Sequence, residues 1–172
     1  MKPFELSAHL LNELVSVARK STCTRSKCGS IIVFQETEEI IGVGYNSMPC
    51  NNVGACTKDL TKPEFPSDRT CCVHAEQRAI MDALKRNPEM IQGSKLIFLR
   101  LDDQGNPIPA TKIYCTICSK LALDAGISLF CLFTPTGWVA YQADDYNVLS
   151  FLQAELPVSE KIQDLLANTQ LT

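Results

Sequence analysis

Two short motifs constrain the fold of this chain more than any other feature: H-A-E at 74–76 and C-T-I-C at 115–118. Each motif stands at the start of a segment with helical patterning. Cys115 and Cys118 are three residues apart, so both side chains lie on one face of their helix. Together with His74 they supply the nitrogen and sulfur donors of a zinc site with one open position for water. The fold must therefore bring two helix starts into one cleft.

Glu76 follows His74 closely enough to point into that cleft without being a metal ligand. Zinc lowers the pKa of a bound water from about 15.7 toward about 7, and the resulting hydroxide can attack C4 of a cytosine ring. A carboxylate beside the metal can then move protons between the water, N3 and the leaving amine. Spaced H-x-E and C-x-x-C motifs are typical of zinc deaminases, which predicts hydrolytic deamination with Glu76 as the catalytic residue.

Each motif has a simpler interpretation when taken alone. C-x-x-C can be half of a structural zinc site or a pair of thiols at a helix start, and His74 can be a hydrogen-bonded core histidine. Glu76 can be present only because a carboxylate is favourable at the positive end of a helix. The combination favours the catalytic site over these alternatives.

The hydrophobic periodicity predicts alternating helices and strands. Helices are predicted at 4–19, 75–86, 116–125, 145–153 and 159–167, and strands at 29–34, 39–45, 95–101 and 127–133. The segment 49–68 has no periodicity, and 102–110 is rich in turn-forming residues. This order predicts an α/β fold in which a mixed sheet carries helices on its faces. We find no linker, so residues 1–172 are predicted to form a single zinc-dependent deaminase domain.

The composition of the chain indicates which binding partners and which cellular compartment to expect. The chain has 172 residues, 45% of them hydrophobic and 20% charged, which suits one globular domain. Its net charge of −3, with no basic run, makes a nucleic-acid partner unlikely. The N-terminal segment lacks the apolar stretch of a signal peptide, and no segment is apolar enough to span a membrane. We therefore expect a cytoplasmic protein, whose nine cysteines are metal ligands or buried thiols rather than disulfides.

Four stretches resemble the cytidine and deoxycytidylate deaminase superfamily, most closely its deoxycytidylate (dCMP) branch. They are S-T-C-T-R-S-K-C-G-S-I-I-V (21–33), G-Y-N-S-M-P (44–49), C-V-H-A-E-Q-R-A-I (72–80) and C-T-I-C-S-K-L-A-L-D-A-G-I (115–127). The resemblance implies a three-layer α-β-α cytidine deaminase-like fold with a mixed sheet of about five strands. It also implies that Asn46 hydrogen-bonds the deoxyribose and that the backbone around Ala75 meets the pyrimidine. Members of this branch form homo-oligomers and are often regulated by deoxynucleoside triphosphates.

The chain departs from the pattern of the branch just before the second motif. Tyr114 stands where proline is usual, and residues 102–114 lengthen the connection into Cys115. Conversion of dCMP to dUMP is the leading prediction for the reaction. The alternatives are deamination of another base, nucleoside, purine compound or RNA, and a non-catalytic zinc protein on the same scaffold. We interpret the basic residues of 19–27, which include Arg19 and Arg25, as a solvated face rather than a phosphate site.

Five more cysteines cluster before the first motif: Cys23, Cys50, Cys56, Cys71 and Cys72. Several members of the dCMP branch hold a second, structural zinc near the positions of Cys23 and Cys56, which Cys71 or Cys72 could complete, with His9 as a further ligand. The alternative is a set of inert thiols. Cys28 and Cys131 are expected in the core of predicted strands.

Overall fold

The structure is a computed structural model that describes residues 1–23, 25–51, 71–113 and 115–152. The predicted helix at 159–167, and most of the segment 49–68 that was predicted to be irregular, lie outside the described residues. The elements in chain order are β1 (Lys2–Pro3), α1 (Ala8–Arg19), β2 (Lys27–Val33), β3 (Ile40–Tyr45), α2 (Ala75–Arg86), β4 (Lys95–Leu101), β5 (Pro107–Ile108), α3 (Thr116–Asp124), β6 (Leu129–Thr134), β7 (Gly137–Gln142) and α4 (Ala143–Phe151). Two short 3₁₀ helices occupy Pro49–Asn51 and Pro88–Met90.

The described strands form one mixed sheet in the order β1-β7-β6-β4-β2-β3, with β5 paired to β4. Strands β4 and β6 are parallel, and the other pairs are antiparallel. The strands β2, β3, β4, β6 and β7 have six or seven residues each, whereas β1 and β5 have two. The prediction of a mixed sheet of about five strands is therefore confirmed for the long strands.

Helices cover both faces of this sheet. On one face α1 buries Leu10, Leu14, Val17 and Ala18 against strand residues that include Ile31 and Ile97. On the other face α2, α3 and α4 pack against strand residues that include Ile32 and Leu96. Neighbouring strand residues thus point to opposite faces, as the period of two requires. The three-layer α-β-α arrangement is confirmed.

The largest difference from the prediction is β7, a strand that the local pattern hides. Pro135 and Gly137 are turn-forming residues, so this segment resembles a loop. In the structure a two-residue turn leads directly into β7, where Val139 and Tyr141 are buried and pair with β6. Helix α1 also begins later than predicted, at Ala8, because the Ser7 side chain accepts a hydrogen bond from the backbone N–H of Leu10 at 3.4 Å.

Two glycines in β3 set the position of α2 on the sheet. A Cβ atom at Gly44 would overlap the carbonyl oxygen of Ala75 and the backbone nitrogen of Ala79. A Cβ atom at Gly42 would overlap the backbone and side chain of the next turn of α2, at Ala79 and Ala83. The helix can therefore lie directly on the backbone of β3, which fixes the place of its first turn.

Candidate metal and catalytic site

His74 is held at the start of α2. It is the N-cap residue of the helix, and its backbone N–H donates to the side-chain oxygen of Gln77 at 3.0 Å. The preceding residue, Val73, forms an isolated antiparallel bridge with Ser47, just beyond the end of β3. Contacts on both sides thus fix the backbone that carries the imidazole.

Cys115 and Cys118 are held at the start of α3. Cys115 is the N-cap residue and has a positive φ of 55°, a conformation that a non-glycine residue adopts only where its surroundings impose it. Cys118 lies within the first turn, and both thiols are buried. The structure therefore places the second motif at a helix start, as predicted.

The three predicted ligands meet at one point. The His74 Nδ1 atom lies 3.3 Å from the Sγ of Cys115 and 3.3 Å from the Sγ of Cys118. All three donor atoms lie within 4.8 Å of one another. A tetrahedral zinc with ordinary Zn–N and Zn–S bonds would separate nitrogen from sulfur by about 3.5 Å. The donor set and its spacing therefore fit a zinc ion, and this is the one such group among the described residues.

The thiols of Cys115 and Cys118 shift each other's pKa in opposite directions. A hydrogen bond from Cys118, aided by His74, lowers the pKa of Cys115 to about 4. The hydrogen bond to Cys115, together with burial, raises the pKa of Cys118. The hydrogen bond between the two thiols thus favours loss of a proton from Cys115 before Cys118. Zinc requires both sulfurs as thiolates, so metal binding also displaces the proton of Cys118.

Glu76 lies beside this cluster and is 6% exposed. Burial raises the pKa of its carboxyl group, and the positive charge of His74 acts in the opposite direction. Cys115 raises this pKa and Cys118 lowers it, which places the carboxyl group beside both thiols. The carboxyl group is thus held at the three donor atoms in an environment that favours carrying a proton.

Asn46 is buried between β2 and β3, and its side chain forms three hydrogen bonds with other residues. Its Oδ1 accepts from the Ser21 hydroxyl at 2.6 Å and from the backbone N–H of Cys28 at 2.8 Å. Its Nδ2 donates to the carbonyl of Ser26 at 2.9 Å. These bonds use both oxygen lone pairs and leave one amide N–H for another partner. Sequence reasoning missed Ser21 as the residue that orients this amide.

Ala75 is the first residue of α2 and is fully buried. Its carbonyl oxygen faces Gly44 of β3. The backbone of Ala75, which lies between His74 and Glu76 in the sequence, therefore packs directly against β3.

The remaining cysteines divide into two groups. Burial raises the pKa of Cys72 to about 12, and the thiols of Cys23 and Cys71 both contact it. The Sγ atoms of Cys71 and Cys72 are 4.0 Å apart. Cys50 is exposed, and Cys56 lies outside the described residues. Cys23, Cys71 and Cys72 are thus neighbours, but among the described residues they do not form a group with the donor spacing of the His74 site.

Similarity to known proteins agrees with this site. A family model described as the cytidine and deoxycytidylate deaminase zinc-binding region matches residues 5–134. No curated protein sequence matches the chain significantly.

Solved structures of deaminases are among the proteins to which this chain is similar. A cytidine deaminase from Burkholderia pseudomallei is 16% identical over 82% of this chain and 96% of that chain, with a TM-score of 0.50. A dCMP deaminase from the cyanophage S-TIM5, solved with dCMP and dUMP, is 24% identical over 73% and 82%, with a TM-score of 0.46. A cytidine deaminase from Mycobacterium tuberculosis is 12% identical over 87% and 100%, with a TM-score of 0.47.

The family model covers most of the chain and includes both motifs. The prediction of a zinc-dependent hydrolase of the deaminase type is confirmed at this level. The chain belongs to the cytidine and deoxycytidylate deaminase family, with a His–Cys–Cys donor set that fits zinc.

Proposed function

We propose that this protein deaminates a cytosine nucleotide, with dCMP as the leading substrate and dUMP as the product. The observation that carries the proposal is the placement of Glu76. Its carboxyl group is buried and close enough to Cys115 and Cys118 for both thiols to act on its pKa, while the donor set is complete without it. A structural zinc site has no use for a buried proton carrier, which argues against the non-catalytic alternative.

The roles follow from the geometry. His74, Cys115 and Cys118 would hold zinc, which when bound supplies an activated water. Glu76 takes a proton from the attacking water and delivers it to N3 of the cytosine ring. The same carboxyl group then assists the departure of the amine at C4 as ammonia. Water is consumed, and one C–N bond is exchanged for a C–O bond.

The substrate contacts that we propose lie on either side of this centre. The side-chain amide of Asn46 has two N–H groups, and one of them donates to the Ser26 carbonyl. The other N–H can donate a hydrogen bond to the sugar. The first turn of α2, at Ala75, can border the ring. With these two contacts, the base lies at the zinc ligands and the sugar lies near β2 and β3.

The proposal also covers the oligomeric state and the cellular location of the protein. In the described part of the chain, no helix has the length and apolar character needed to cross a membrane. We propose a cytoplasmic homo-oligomer, and the exposed apolar side chains of Val148, Phe151 and Leu152 at the end of α4 support self-association. Light scattering of the purified protein tests this, and a monomer at micromolar concentration would contradict it.

The test of the proposed reaction is the Glu76→Gln variant. We expect it to retain zinc and to lose ammonia release from dCMP, because an amide cannot carry the proton. Glu89→Gln, an exposed change just beyond α2, is the matched control and should leave turnover at the wild-type rate. Unchanged turnover in Glu76→Gln would contradict the catalytic role.

A substrate panel tests the remaining alternatives. Ammonia release is measured with dCMP, deoxycytidine, cytosine, purine nucleotides and a cytosine-containing RNA. The proposal predicts the highest kcat/KM for dCMP. Activity confined to unphosphorylated compounds or RNA would replace the nucleotide assignment, and no activity with zinc bound would favour a non-catalytic protein.

A further inference from the structure

Arg78 reaches from α2 to the segment that follows β3. It lies one turn beyond His74 in the helix, and its backbone N–H donates to the His74 carbonyl at 3.1 Å. Its Nη2 donates to the backbone carbonyl of Met48 at 2.9 Å. The guanidinium carbon also lies 5.9 Å from the centre of the Tyr45 ring, within the range of a cation–π contact. One side chain thus contacts the segment 45–48 at both of its ends.

The glycine at position 44 makes room for this side chain. A Cβ atom at Gly44 would lie 2.8 Å from the Cβ of Arg78, which is closer than two such atoms approach in proteins. The side chain of Arg78 therefore starts directly over the backbone of β3. Its contact with Met48 depends on this close approach of α2 to the strand.

Stability alone does not account for an arginine at this position. The Nε atom of Arg78 is buried and has no hydrogen-bond partner in the part of the chain that the structure describes. A buried donor without a partner lowers the stability of the folded state. Arg78 also belongs to neither of the ion pairs that the described residues form. Its contribution among these residues is therefore the contact with Tyr45 and Met48.

Two ties join the segment after β3 to the region around His74. Ser47 and Val73 exchange backbone hydrogen bonds of 3.3 and 2.9 Å, and Val73 directly precedes His74. The second tie is the bond from Arg78 to the Met48 carbonyl. One tie thus lies just before His74 in the chain and the other lies one turn after it, so the segment is held to the metal ligand from both sides.

Asn46 lies between β3 and these ties. Its side chain is held from the other direction by Ser21, Ser26 and Cys28. Loss of the Arg78 tie would leave these three hydrogen bonds in place and let the amide shift relative to the metal ligands. The distance between the amide and the metal cluster therefore depends on Arg78.

We propose that Arg78 is a positioning residue, which holds the segment 45–48 on α2 and thereby keeps the Asn46 amide at the distance from the zinc ligands that a cytosine nucleoside spans. The inference rests on the proposed deaminase function, in which Asn46 contacts the sugar and the base lies at the metal. Arg78 itself contacts no substrate group. It acts on the affinity for the nucleoside part of the substrate and not on zinc binding or on proton transfer by Glu76.

Binding of deoxyuridine and dUMP to the zinc-loaded protein tests this inference without turnover. By calorimetry, Arg78→Met should bind both ligands about fivefold more weakly than wild type, the size of one lost hydrogen bond to the sugar, with unchanged zinc content. Arg78→Lys keeps a cation that can donate to Met48 and should recover most of the affinity. Lys85→Met, an exposed change on the same helix, is the matched control and should bind both ligands like wild type.

Thermal denaturation separates positioning from a general loss of stability. The Met48 carbonyl also accepts from the Ser47 hydroxyl at 3.3 Å, so it keeps a partner in Arg78→Met. The same exchange removes the buried Nε atom. We therefore expect weaker ligand binding with little change in melting temperature. If affinity falls only together with the melting temperature and Arg78→Lys restores neither, Arg78 supports the fold rather than the sugar contact, and the inference is wrong.

A double-mutant cycle with Asn46 shows whether Arg78 acts through the amide. Arg78→Met should weaken binding no further once Asn46 is replaced by alanine. An undiminished fivefold loss in the Asn46→Ala background, or equal affinity in Arg78→Met and wild type, would overturn the inference. So would a loss confined to dUMP, because Arg78 would then contact the phosphate directly. If Asn46→Ala does not fold, equal losses for the two ligands and recovery in Arg78→Lys decide the question.

The binding readout keeps this inference distinct from the proposed reaction. A protein that binds deoxyuridine in an Arg78-dependent way but releases no ammonia would refute the reaction and leave the positioning role standing. A protein that releases ammonia from dCMP and binds both ligands equally well with and without Arg78 would do the reverse. A zinc-loaded wild type that binds neither ligand would contradict both.

Discussion

The imidazole Nδ1 of His74 lies 3.3 Å from the Sγ of Cys118, although the two residues are 44 positions apart in the chain. Helix α2 brings the first to this point and helix α3 brings the second. Both helices lie on the same face of the sheet, where they contribute to one hydrophobic cluster. The site therefore depends on how closely these helices approach the strands.

Gly44→Ala tests that dependence. The added methyl group would overlap the backbone of α2 at Ala75 and Ala79, so the helix must move outward. We expect the free energy of unfolding to fall by about 1–3 kcal/mol, as for other overpacked sites. Zinc affinity should fall with it, because His74 and Glu76 move with the helix. Chemical denaturation and a competitive zinc chelator measure the two effects.

Gly137→Ala is the comparison for that experiment. Gly137 has a positive φ of 109° but no atom near the position of a new Cβ. This exchange should lower stability through backbone conformation alone and leave zinc affinity unchanged. Equal zinc affinity in Gly44→Ala and wild type would show that the β3 glycines do not position the site.

Asn46→Ala should destabilise the protein as well as the substrate complex. The exchange removes the partners of the Cys28 N–H and the Ser26 carbonyl. Leaving such groups without partners costs about 1–3 kcal/mol, which thermal denaturation measures. Ser21→Ala keeps the amide and should cost less. Full stability in Asn46→Ala would show that water replaces the amide.

Glu76 is predicted to destabilise the metal-free protein at neutral pH. Burial raises the pKa of its carboxyl group in the folded state. The folded state therefore binds the proton more tightly than the unfolded state, and stability falls as pH rises through the folded pKa. Glu76→Gln removes the ionisable group, so its melting temperature should exceed that of wild type at pH 8. The difference should vanish below the ordinary carboxyl pKa.

A pH series of melting temperatures on metal-free protein, with Glu89→Gln as the exposed control, checks this prediction. If the melting temperature of Glu76→Gln exceeds that of wild type by the same amount at pH 3.5 and at pH 8, ionisation of Glu76 is not the cause. The higher melting temperature would then come from packing of the amide rather than from the removal of a charge.

The thiols of Cys23, Cys71 and Cys72 lead to a prediction about metal content. If they hold the second, structural zinc, the protein contains two zinc ions per chain and Cys23→Ser lowers the content to one. Cys50→Ser, at an exposed cysteine, should leave the content unchanged. One zinc per chain in wild type, unaffected by Cys23→Ser, would identify the cluster as buried thiols.

The sequence predicts the elements that carry the two motifs because their signals are local. Helix α2 has its predicted bounds, Ala75–Arg86, since its apolar face repeats at helical spacing and Pro88 follows its end. The meeting of His74 with Cys115 and Cys118 was also predictable, because zinc chemistry requires it. These inferences needed no knowledge of the sheet order.

Features that depend on strand register were not predictable. Arg100 lies beside Arg25 only because Cys28 pairs with Arg100 across β2 and β4. The partners of the Asn46 side chain come from residues up to 25 positions away. Strand β7 was hidden by turn-forming residues at its start. In each case the deciding contact is long-range and leaves no local pattern.

The most direct test of the account is the zinc content of wild type and of Cys118→Ser, measured by elemental analysis after dialysis against a weak chelator. We expect at least one tightly held zinc per wild-type chain. In the variant we expect the loss of one zinc ion and of all ammonia release from dCMP. A wild-type protein without zinc, or a Cys118→Ser variant with undiminished zinc and turnover, would contradict it.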